Sequence, residues 1–181
     1  VVHQTSDGGF ILMGHGVSFN YDNDEFLLIK TDSDGNEIWR KTFSGGENNY
    51  SSLNDGKITN DGGFILSGIS DDGNDSDILL IKTDQNGNEE WRSIFGGSYY
   101  DGNPFIDNTH DGGFIIHSQT NSHNNGSDND SWLFKIDAVG NLEWESFQGE
   151  DYNDGIGSVI QANDGGYAFI LGLKLIKMFN N

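Results

Sequence analysis

The sequence contains no cysteine, a single proline and few basic residues. The absence of cysteine excludes a disulfide framework, a thiolate nucleophile and a zinc site built on cysteine. One proline among 181 residues excludes collagen-like and polyproline segments. Nine Lys and Arg residues stand against 29 Asp and Glu residues, a net charge of −20, which argues against nucleic acid or an anionic membrane surface as a partner.

Long apolar runs are also lacking. The longest apolar stretch, residues 167–178, is interrupted by Lys174 and Lys177 and is far shorter than a membrane span, so membrane insertion is not expected. The chain begins Val1-Val2-His3 without a recognisable signal or transit peptide, which suggests a processed or partial chain. With 34% hydrophobic and 12% aromatic residues, the chain nevertheless has enough apolar side chains for one sizeable core.

Two sequence signatures repeat along the chain. Asp-Gly-Gly followed by an aromatic residue occurs four times, beginning at Asp7, Asp61, Asp111 and Asp164. Lys-x-Asp-x-x-Gly-x-x-x-Trp occurs three times, beginning at Lys30, Lys82 and Lys135 and ending at Trp39, Trp91 and Trp144. Because both signatures recur every 50 to 54 residues, the chain is a tandem repeat.

Each repeat predicts four short strands. The second and third strands are unbroken apolar runs, such as residues 10–13 and 26–29, and are expected inside a packed sheet. The fourth strand, as in residues 37–43, alternates polar and apolar residues and is expected at an outer edge. Asp-Gly-Gly is expected to supply a glycine with positive φ to a tight hairpin, the first glycines being Gly8, Gly62, Gly112 and Gly165.

Repeats of about 52 residues with four strands predict an all-β fold of the β-propeller type, favoured over a parallel β-solenoid. The single repeat domain, residues 1–181, divides into blades at about 1–43, 51–95 and 103–147, with a partial blade at 156–178. Three blades and a part of a fourth leave sheet edges exposed. We therefore expect a fragment of a larger propeller, or a chain completed by self-association or by missing blades.

The combined pattern, Asp-Gly-Gly-(Phe/Tyr), an Asn/Asp-rich loop and then Lys-x-Asp-x-x-Gly-Asn-x-x-Trp, resembles β-propeller repeats of secreted and surface proteins of bacteria. The second half also resembles the blade motif of quinoprotein-type propellers, in which a Trp docks between adjacent blades, although one residue fewer separates Asp from Gly. The resemblance implies the fold and an extracellular or cell-surface location. It implies no particular activity, because propellers serve many functions.

The acidic loops between the second and third strands suggest a calcium site. Closely spaced oxygen ligands suit Ca²⁺, and the second repeat offers Asp71, Asp72, Asp75 and Asp77. The alternative is a solvated loop that keeps an acidic protein soluble, since no loop matches a complete calcium-loop pattern. No other cofactor is predicted. The Asp-x-x-Gly segments, which also resemble calcium loops superficially, are interpreted as hairpin turns.

Aromatic residues are the second group of candidates. The repeated Trp39, Trp91 and Trp144 could line a sugar-binding surface, but their fixed place in the fourth strand favours packing between blades. Tyrosines beside Asn, Asp and Gly in the variable loops are better suited to binding a protein or glycan; these are Tyr21, Tyr50, Tyr99, Tyr100 and Tyr152. His117 and His123 are the one histidine pair that could converge across a loop on a metal.

No catalytic constellation is recognisable: there is no Ser/His/Asp order, phosphate loop or metalloprotease helix. The repeated lysines are expected to pair with carboxylates such as the neighbouring Asp. The sequence therefore predicts a non-catalytic extracellular scaffold for recognition or adhesion through its variable loops. Two alternatives are part of a quinoprotein-like or hydrolytic propeller enzyme, and a purely structural repeat of a large surface protein.

Overall fold

The computed structural model describes residues 1–17, 24–46, 50–123, 126, 128–149 and 155–178, and in them the chain forms four antiparallel sheets. Three sheets have four strands and the last has three, and in every sheet the strands follow one another in chain order. The all-β prediction, with four strands in each of the first three repeats, is confirmed. Within these ranges no helix has the length and apolar character that crossing a membrane requires.

The strands have these bounds. Sheet 1 contains β1 (Val2–Gln4), β2 (Phe10–Val17), β3 (Asp24–Thr31) and β4 (Glu37–Phe43). Sheet 2 contains β5 (Tyr50–Ile58), β6 (Phe64–Asp71), β7 (Ser76–Thr83) and β8 (Glu89–Phe95). Sheet 3 contains β9 (Asp101–Asn108), β10 (Phe114–Thr120), β11 (Asp130–Ile136) and β12 (Leu142–Gln148). Sheet 4 contains β13 (Ile156–Gln161), β14 (Tyr167–Leu171) and β15 (Lys174–Met178).

The position of each strand in its sheet follows from its apolar pattern. The inner strand β7 is buried at almost every residue, because neighbouring sheets cover both of its faces. The edge strand β8 alternates exposed and half-buried residues, and β4 and β12 do so over most of their lengths. The prediction of two interior strands and one outer strand is therefore confirmed in the first three repeats.

The core consists of three apolar layers, each between two successive sheets. One layer joins sheets 1 and 2 through residues such as Phe26 and Leu79, and the next joins sheets 2 and 3 through Leu80 and Phe134. The third, between sheets 3 and 4, contains Phe169. The first strands of successive sheets also meet, β5 against β9 and β9 against β13. Burial between sheets therefore supplies the hydrophobic stabilisation that a single sheet lacks.

The two ends of the sheets differ in regularity. At one end, here called the turn end, the links from the first to the second strand are five residues each: 5–9, 59–63, 109–113 and 162–166. The links from the third to the fourth strand are also five residues each: 32–36, 84–88 and 137–141. At the other end, here called the loop end, the links from the second to the third strand span 18–23, 72–75, 121–129 and 172–173. The connections between sheets also lie at the loop end, at 44–49, 96–100 and 149–155.

The Asp-Gly-Gly turn uses its two glycines for different reasons. The first glycine has a positive φ in all four copies, for example 84° at Gly62, as predicted. The second glycine allows close approach instead, because a Cβ on Gly63 would collide with the Thr83 carbonyl oxygen and with Lys82 Nζ. The aspartate closes the turn, since Asp61 Oδ1 accepts a hydrogen bond from the Gly63 amide at 3.0 Å.

Candidate functional site

The turn end is organised around one lysine in each sheet. Lys82 is 3% exposed and its Nζ donates to Asp61 Oδ2 and Glu90 Oε2, both at 2.8 Å, and to the Thr83 carbonyl oxygen at 3.0 Å. The equivalent pairs in sheets 1, 3 and 4 are Lys30 with Asp7, Lys135 with Asp111 and Lys177 with Asp164. The lysine therefore pairs with the aspartate of the Asp-Gly-Gly turn rather than with the neighbouring Asp that the sequence suggested.

The ion pairs hold the turn aspartates in their ionised form. Although partial burial acts to raise the pKa of Asp61, hydrogen bonds from Lys82 and Thr59 outweigh it and lower the pKa to about 2. Asp111 behaves in the same way beside Lys135 and Thr109, with a pKa of about 2. Each lysine and its turn aspartate neutralise one another's charge through a charge-assisted hydrogen bond. The repeated charged residues of the turn end therefore have a structural role.

Asp84, the aspartate two residues after Lys82 in the sequence, closes a different turn. Asp84 Oδ1 accepts hydrogen bonds from the backbone amides of Asn86 and Asn88, both at 2.8 Å, and its Oδ2 accepts from Asn88 Nδ2 at 2.9 Å. Gly87 follows with a φ of 74°. Asp32 and Asp137 make the same bonds in sheets 1 and 3. The Asp-x-x-Gly segments are thus hairpin turns, as interpreted from the sequence.

The three repeated tryptophans lie between successive sheets. The ring centroid of Trp39 is 6.2 Å from that of Phe64, Trp91 is 6.1 Å from Phe114, and Trp144 is 5.3 Å from Tyr167. In each case the partner is the aromatic residue that follows Asp-Gly-Gly in the next sheet. Trp91 Nε1 also donates to the Ala138 carbonyl oxygen at 3.0 Å. This placement is the packing that the sequence favoured over a sugar-binding surface.

The described residues line cavities at the loop end. The first, of about 300 Å³, lies between the β6–β7 loop and the connection from sheet 2 to sheet 3. Its lining includes Asp71, Asp75 and Ser76 on one side and Tyr99 and Tyr100 on the other. Acidic groups and tyrosines that are separate in the sequence thus face a single space. A rim of this composition suits hydrogen bonding to a polar ligand.

The acidic loop residues do not converge on a metal-binding geometry. Asp71 Oδ1 accepts from the Gly73 amide at 2.7 Å, and Asp75 Oδ1 accepts from the Ser76 amide at 2.9 Å. Asp72 Oδ1 accepts from the Asn74 and Asp75 amides at 2.9 and 3.0 Å. Within the described residues, no group of three or more acidic, His or Cys side chains is placed to hold a metal ion. Three of the four calcium candidates therefore each use one carboxylate oxygen to accept a nearby backbone amide.

The fourth candidate, Asp77, is placed differently. Its Oδ1 and the Oδ2 of Asp101 both lie close to Gly96, and a Cβ on this glycine would collide with both oxygens. Oδ1 of Asp77 is buried and has no hydrogen-bond partner among the described residues. Burial, together with the charges of Asp75, Asp101 and Asp72, raises the pKa of Asp77 to about 6. The loop end therefore contains a carboxylate pair whose charge the fold does not compensate.

A second cavity, of about 400 Å³, lies against sheet 3. Asp101 and Ser122 line it together with an aromatic group formed by His123, Trp132 and Phe147. The His123 and Phe147 rings stack with their centroids 3.9 Å apart and their planes 6° apart. Trp132 and Phe147 are also stacked, at 5.8 Å and 16°. This cavity combines negative charge with an aromatic wall.

The tyrosines that the sequence predicted for binding differ in their exposure. Tyr50 and Tyr99 are 46% and 45% exposed at the loop end, whereas Tyr100 is half-buried and its hydroxyl accepts a hydrogen bond from Asn103 Nδ2 at 2.9 Å. Tyr99 and Tyr100 are brought together at the first cavity. Tyr21 and Tyr152 lie outside the described residues.

The two histidines considered for a metal site have separate partners. His117 is fully buried, with its Nδ1 2.9 Å from the Gly157 carbonyl oxygen and its Nε2 2.8 Å from Ser131 Oγ. Burial lowers the pKa of His117, despite the opposing effect of the Gly157 hydrogen bond. This histidine therefore acts as a neutral link between sheets 3 and 4, whereas His123 belongs to the aromatic wall of the second cavity.

Four residues that line the second cavity carry no repeated sequence pattern that would have predicted them: Asp101, Ser122, Trp132 and Glu145. Trp132 is the one tryptophan that does not belong to the repeated signature, and that exception was a usable signal. Asp101 takes the place of Ser51 in the preceding repeat: the Gly45 amide donates to Ser51 Oγ, as the Gly97 amide donates to Asp101 Oδ2. Comparison of the chain with protein-family models and with curated protein sequences finds no match.

Proposed function

We propose that the chain is a non-catalytic recognition scaffold of the β-propeller type that binds a protein or glycan partner through its loop end. The observation that carries this proposal is the first cavity, where Tyr99 and Tyr100 face the acidic β6–β7 loop. The repeated lysines and aspartates, in contrast, have structural partners at the turn end. The loop end is where length and sequence vary, and binding residues concentrate on such loops when a rigid scaffold holds them.

Three features support the propeller arrangement. The sheets are meanders in chain order, their first strands meet one another, and each tryptophan contacts the next sheet. In a propeller the first strands line the central axis and blades pack face to face. An extracellular or cell-surface location is proposed on the resemblance to bacterial surface repeats and on the acidic composition, since −20 net charge favours solubility.

The outer faces of the first and last sheets support completion by further blades. On sheet 4, Ile160, Ile170 and Leu175 are 52%, 44% and 75% exposed on the face turned away from sheet 3. On sheet 1, Leu12 and Ile29 are half-buried, whereas the residues at the same positions of sheet 2 are fully buried. The corresponding faces of sheets 2 and 3 are each covered by a neighbouring sheet. We propose that another repeat, from a second copy or a longer chain, covers them.

Solution mass tests completion by a second copy. We expect the weight-average mass to rise above 19.9 kDa with concentration and to return to that value in Ile170→Lys and Leu175→Lys variants. Both side chains are exposed, so the substitutions leave the core intact. A mass that stays at 19.9 kDa at every concentration would contradict self-association. The proposal would then be that further repeats of a longer chain cover the outer faces of sheets 1 and 4.

Binding to a glycan and protein panel tests the recognition function. We expect saturable binding that is at least tenfold weaker in Tyr99→Ser and unchanged in Val139→Ser. Val139 is the matched control, because it is 65% exposed and lies at the turn end. A ligand lost equally in both variants would contradict binding at the loop end. The absorption spectrum of a bound cofactor, or turnover of a substrate, would support the enzyme alternative instead. No binding and no turnover in any assay would support a purely structural repeat.

A further inference from the structure

Asp101 is a fully buried carboxylate on the floor of the second cavity. Its Oδ2 accepts hydrogen bonds from the Gly97 amide at 2.8 Å and from Ser122 Oγ at 2.7 Å. Its Oδ1 has no hydrogen-bond partner among the described residues. A buried charged oxygen that lacks a partner is costly to the folded state, so its retention calls for an explanation.

The architecture does not require this charge. At the equivalent position of the preceding repeat, Ser51 Oγ accepts the Gly45 amide at 2.9 Å, and the connection between sheets 1 and 2 is held by a neutral hydroxyl. A serine at position 101 would be expected to hold the Gly97 amide in the same way. The carboxylate therefore has a role beyond holding the connection.

The surroundings of Asp101 add negative charge and no paired cation. Asp77 converges with it on Gly96, and Glu145 lies on the wall of the cavity, where it is exposed. The salt bridges of the described residues involve lysines and arginines elsewhere and leave all three carboxylates without a basic partner. A cation entering from outside would supply the missing charge at close range.

The wall of the cavity specifies the kind of cation. Phe147 stacks on both His123 and Trp132, and Trp132 Nε1 donates to Glu145 Oε2 at 3.0 Å, which holds a carboxylate beside the rings. Ca²⁺ requires six to eight oxygen ligands, and aromatic rings cannot provide them. A guanidinium group is planar and weakly hydrated, stacks on aromatic rings and pairs with carboxylates.

We propose that the second cavity binds an arginine side chain of a partner protein. This inference rests on the proposed recognition function and specifies one contact within it. The aliphatic part of the side chain packs against the aromatic wall, and the guanidinium lies between Glu145 and the floor formed by Asp101. The volume of about 400 Å³ accommodates one such side chain.

The test uses N-acetyl-L-arginine amide as the probe and isothermal titration or the Trp132 indole NMR signal as the readout. The matched probe is N-acetyl-L-citrulline amide, which has the same shape without the charge. We expect saturable binding of the arginine probe, at least tenfold tighter than that of the citrulline probe. Asp101→Ser should weaken it at least tenfold, whereas Asp34→Asn, which removes one charge from an exposed turn, should change it less than twofold.

A second variant guards against misfolding of the first. Glu145 is exposed, and Glu145→Gln keeps an oxygen for Trp132 Nε1 while removing the charge, so we expect fivefold weaker binding in a folded protein. Equal binding of both probes, or undiminished binding in both variants, would overturn the proposal, as would displacement of the arginine probe by millimolar Ca²⁺ with no effect of Na⁺ at the same ionic strength. If the panel binding that depends on Tyr99 persists while the arginine probe does not bind, the ligand class is wrong and the recognition function stands.

Discussion

Lys82 Nζ lies 2.8 Å from Asp61 Oδ2, and this contact joins the two repeated signatures of the sequence. Asp61 opens the Asp-Gly-Gly turn and Lys82 opens the Lys-x-Asp-x-x-Gly-x-x-x-Trp motif. The register of β6 against β7 pairs Phe64 with Thr83 and so brings the two residues together. The signatures are therefore two parts of one turn-end cluster, which explains why they recur with the same period.

Removal of the turn aspartate should destabilise the fold. We expect Asp61→Asn to lower the free energy of unfolding by about 1–2 kcal/mol at pH 7, because Lys82 stays buried with one carboxylate fewer. Urea denaturation gives the value. Glu37→Gln is the control, since its pair with Arg40 is exposed and should contribute less than about 0.5 kcal/mol. Equal losses in both variants would show that burial of the lysine is unimportant.

The second glycine of the turn should tolerate no side chain. We expect Gly63→Ala to cost more than about 2 kcal/mol, because its Cβ would collide with the Thr83 carbonyl oxygen in the adjacent strand. Gly14→Ala, within β2, meets nothing within 4 Å and should be neutral or slightly stabilising. Thermal unfolding of both variants compares them directly. A Gly63→Ala protein as stable as Gly14→Ala would contradict the close approach of the turn to β7.

The tryptophan between sheets should contribute more than its exposure suggests. We expect Trp91→Ala to lower the free energy of unfolding by about 3 kcal/mol, through loss of the Phe114 contact and of the hydrogen bond to Ala138. Trp91→Phe, which keeps an aromatic ring, should lose about half as much. Ile94→Ala in the same strand is the control, because Ile94 is 54% exposed, and its loss should stay below about 1 kcal/mol.

Asp77 should make stability fall as the pH rises above 4. Its pKa of about 6 in the folded protein exceeds the value of about 3.9 in an unfolded chain, so the folded state favours the protonated form. The stabilisation is complete below pH 4 and is lost as the pH rises through 6. We expect Asp77→Asn to be more stable than the wild type by about 1 kcal/mol at pH 7, after allowance for solvent screening, and equal to it below pH 4.

Unfolding free energies measured from pH 4 to pH 7 give this difference. Asp34→Asn is again the control, because Asp34 lies on an exposed turn and its variant should follow the wild-type profile. Parallel profiles for the wild type and Asp77→Asn would contradict the placement of Asp77 against Asp101. Such a result would also contradict the uncompensated charge that we describe for the Asp77 and Asp101 pair.

Local patterns were enough to predict the strands and turns. Apolar runs and alternation reflect the faces that a strand presents, so the residue pattern alone assigns β7 to the inside of a sheet and β8 to its edge. Positive φ at Gly62 follows from the chemistry of a tight hairpin. The partner of Lys82 could not be predicted in this way, because Asp84 is closer in the sequence and only strand register places Asp61 beside the lysine.

The loop-end site could not be predicted from the sequence either, because it also depends on contacts between distant residues. Asp101 follows a connection that crosses from the edge of sheet 2 to the first strand of sheet 3, and its burial depends on that crossing. The sequence by itself determined the repeat, the four-strand unit and the residues that close its turns, because these depend on neighbours within one repeat. Only the tertiary structure decided which acidic and aromatic side chains of different sheets share a cavity, since that depends on how successive sheets pack together.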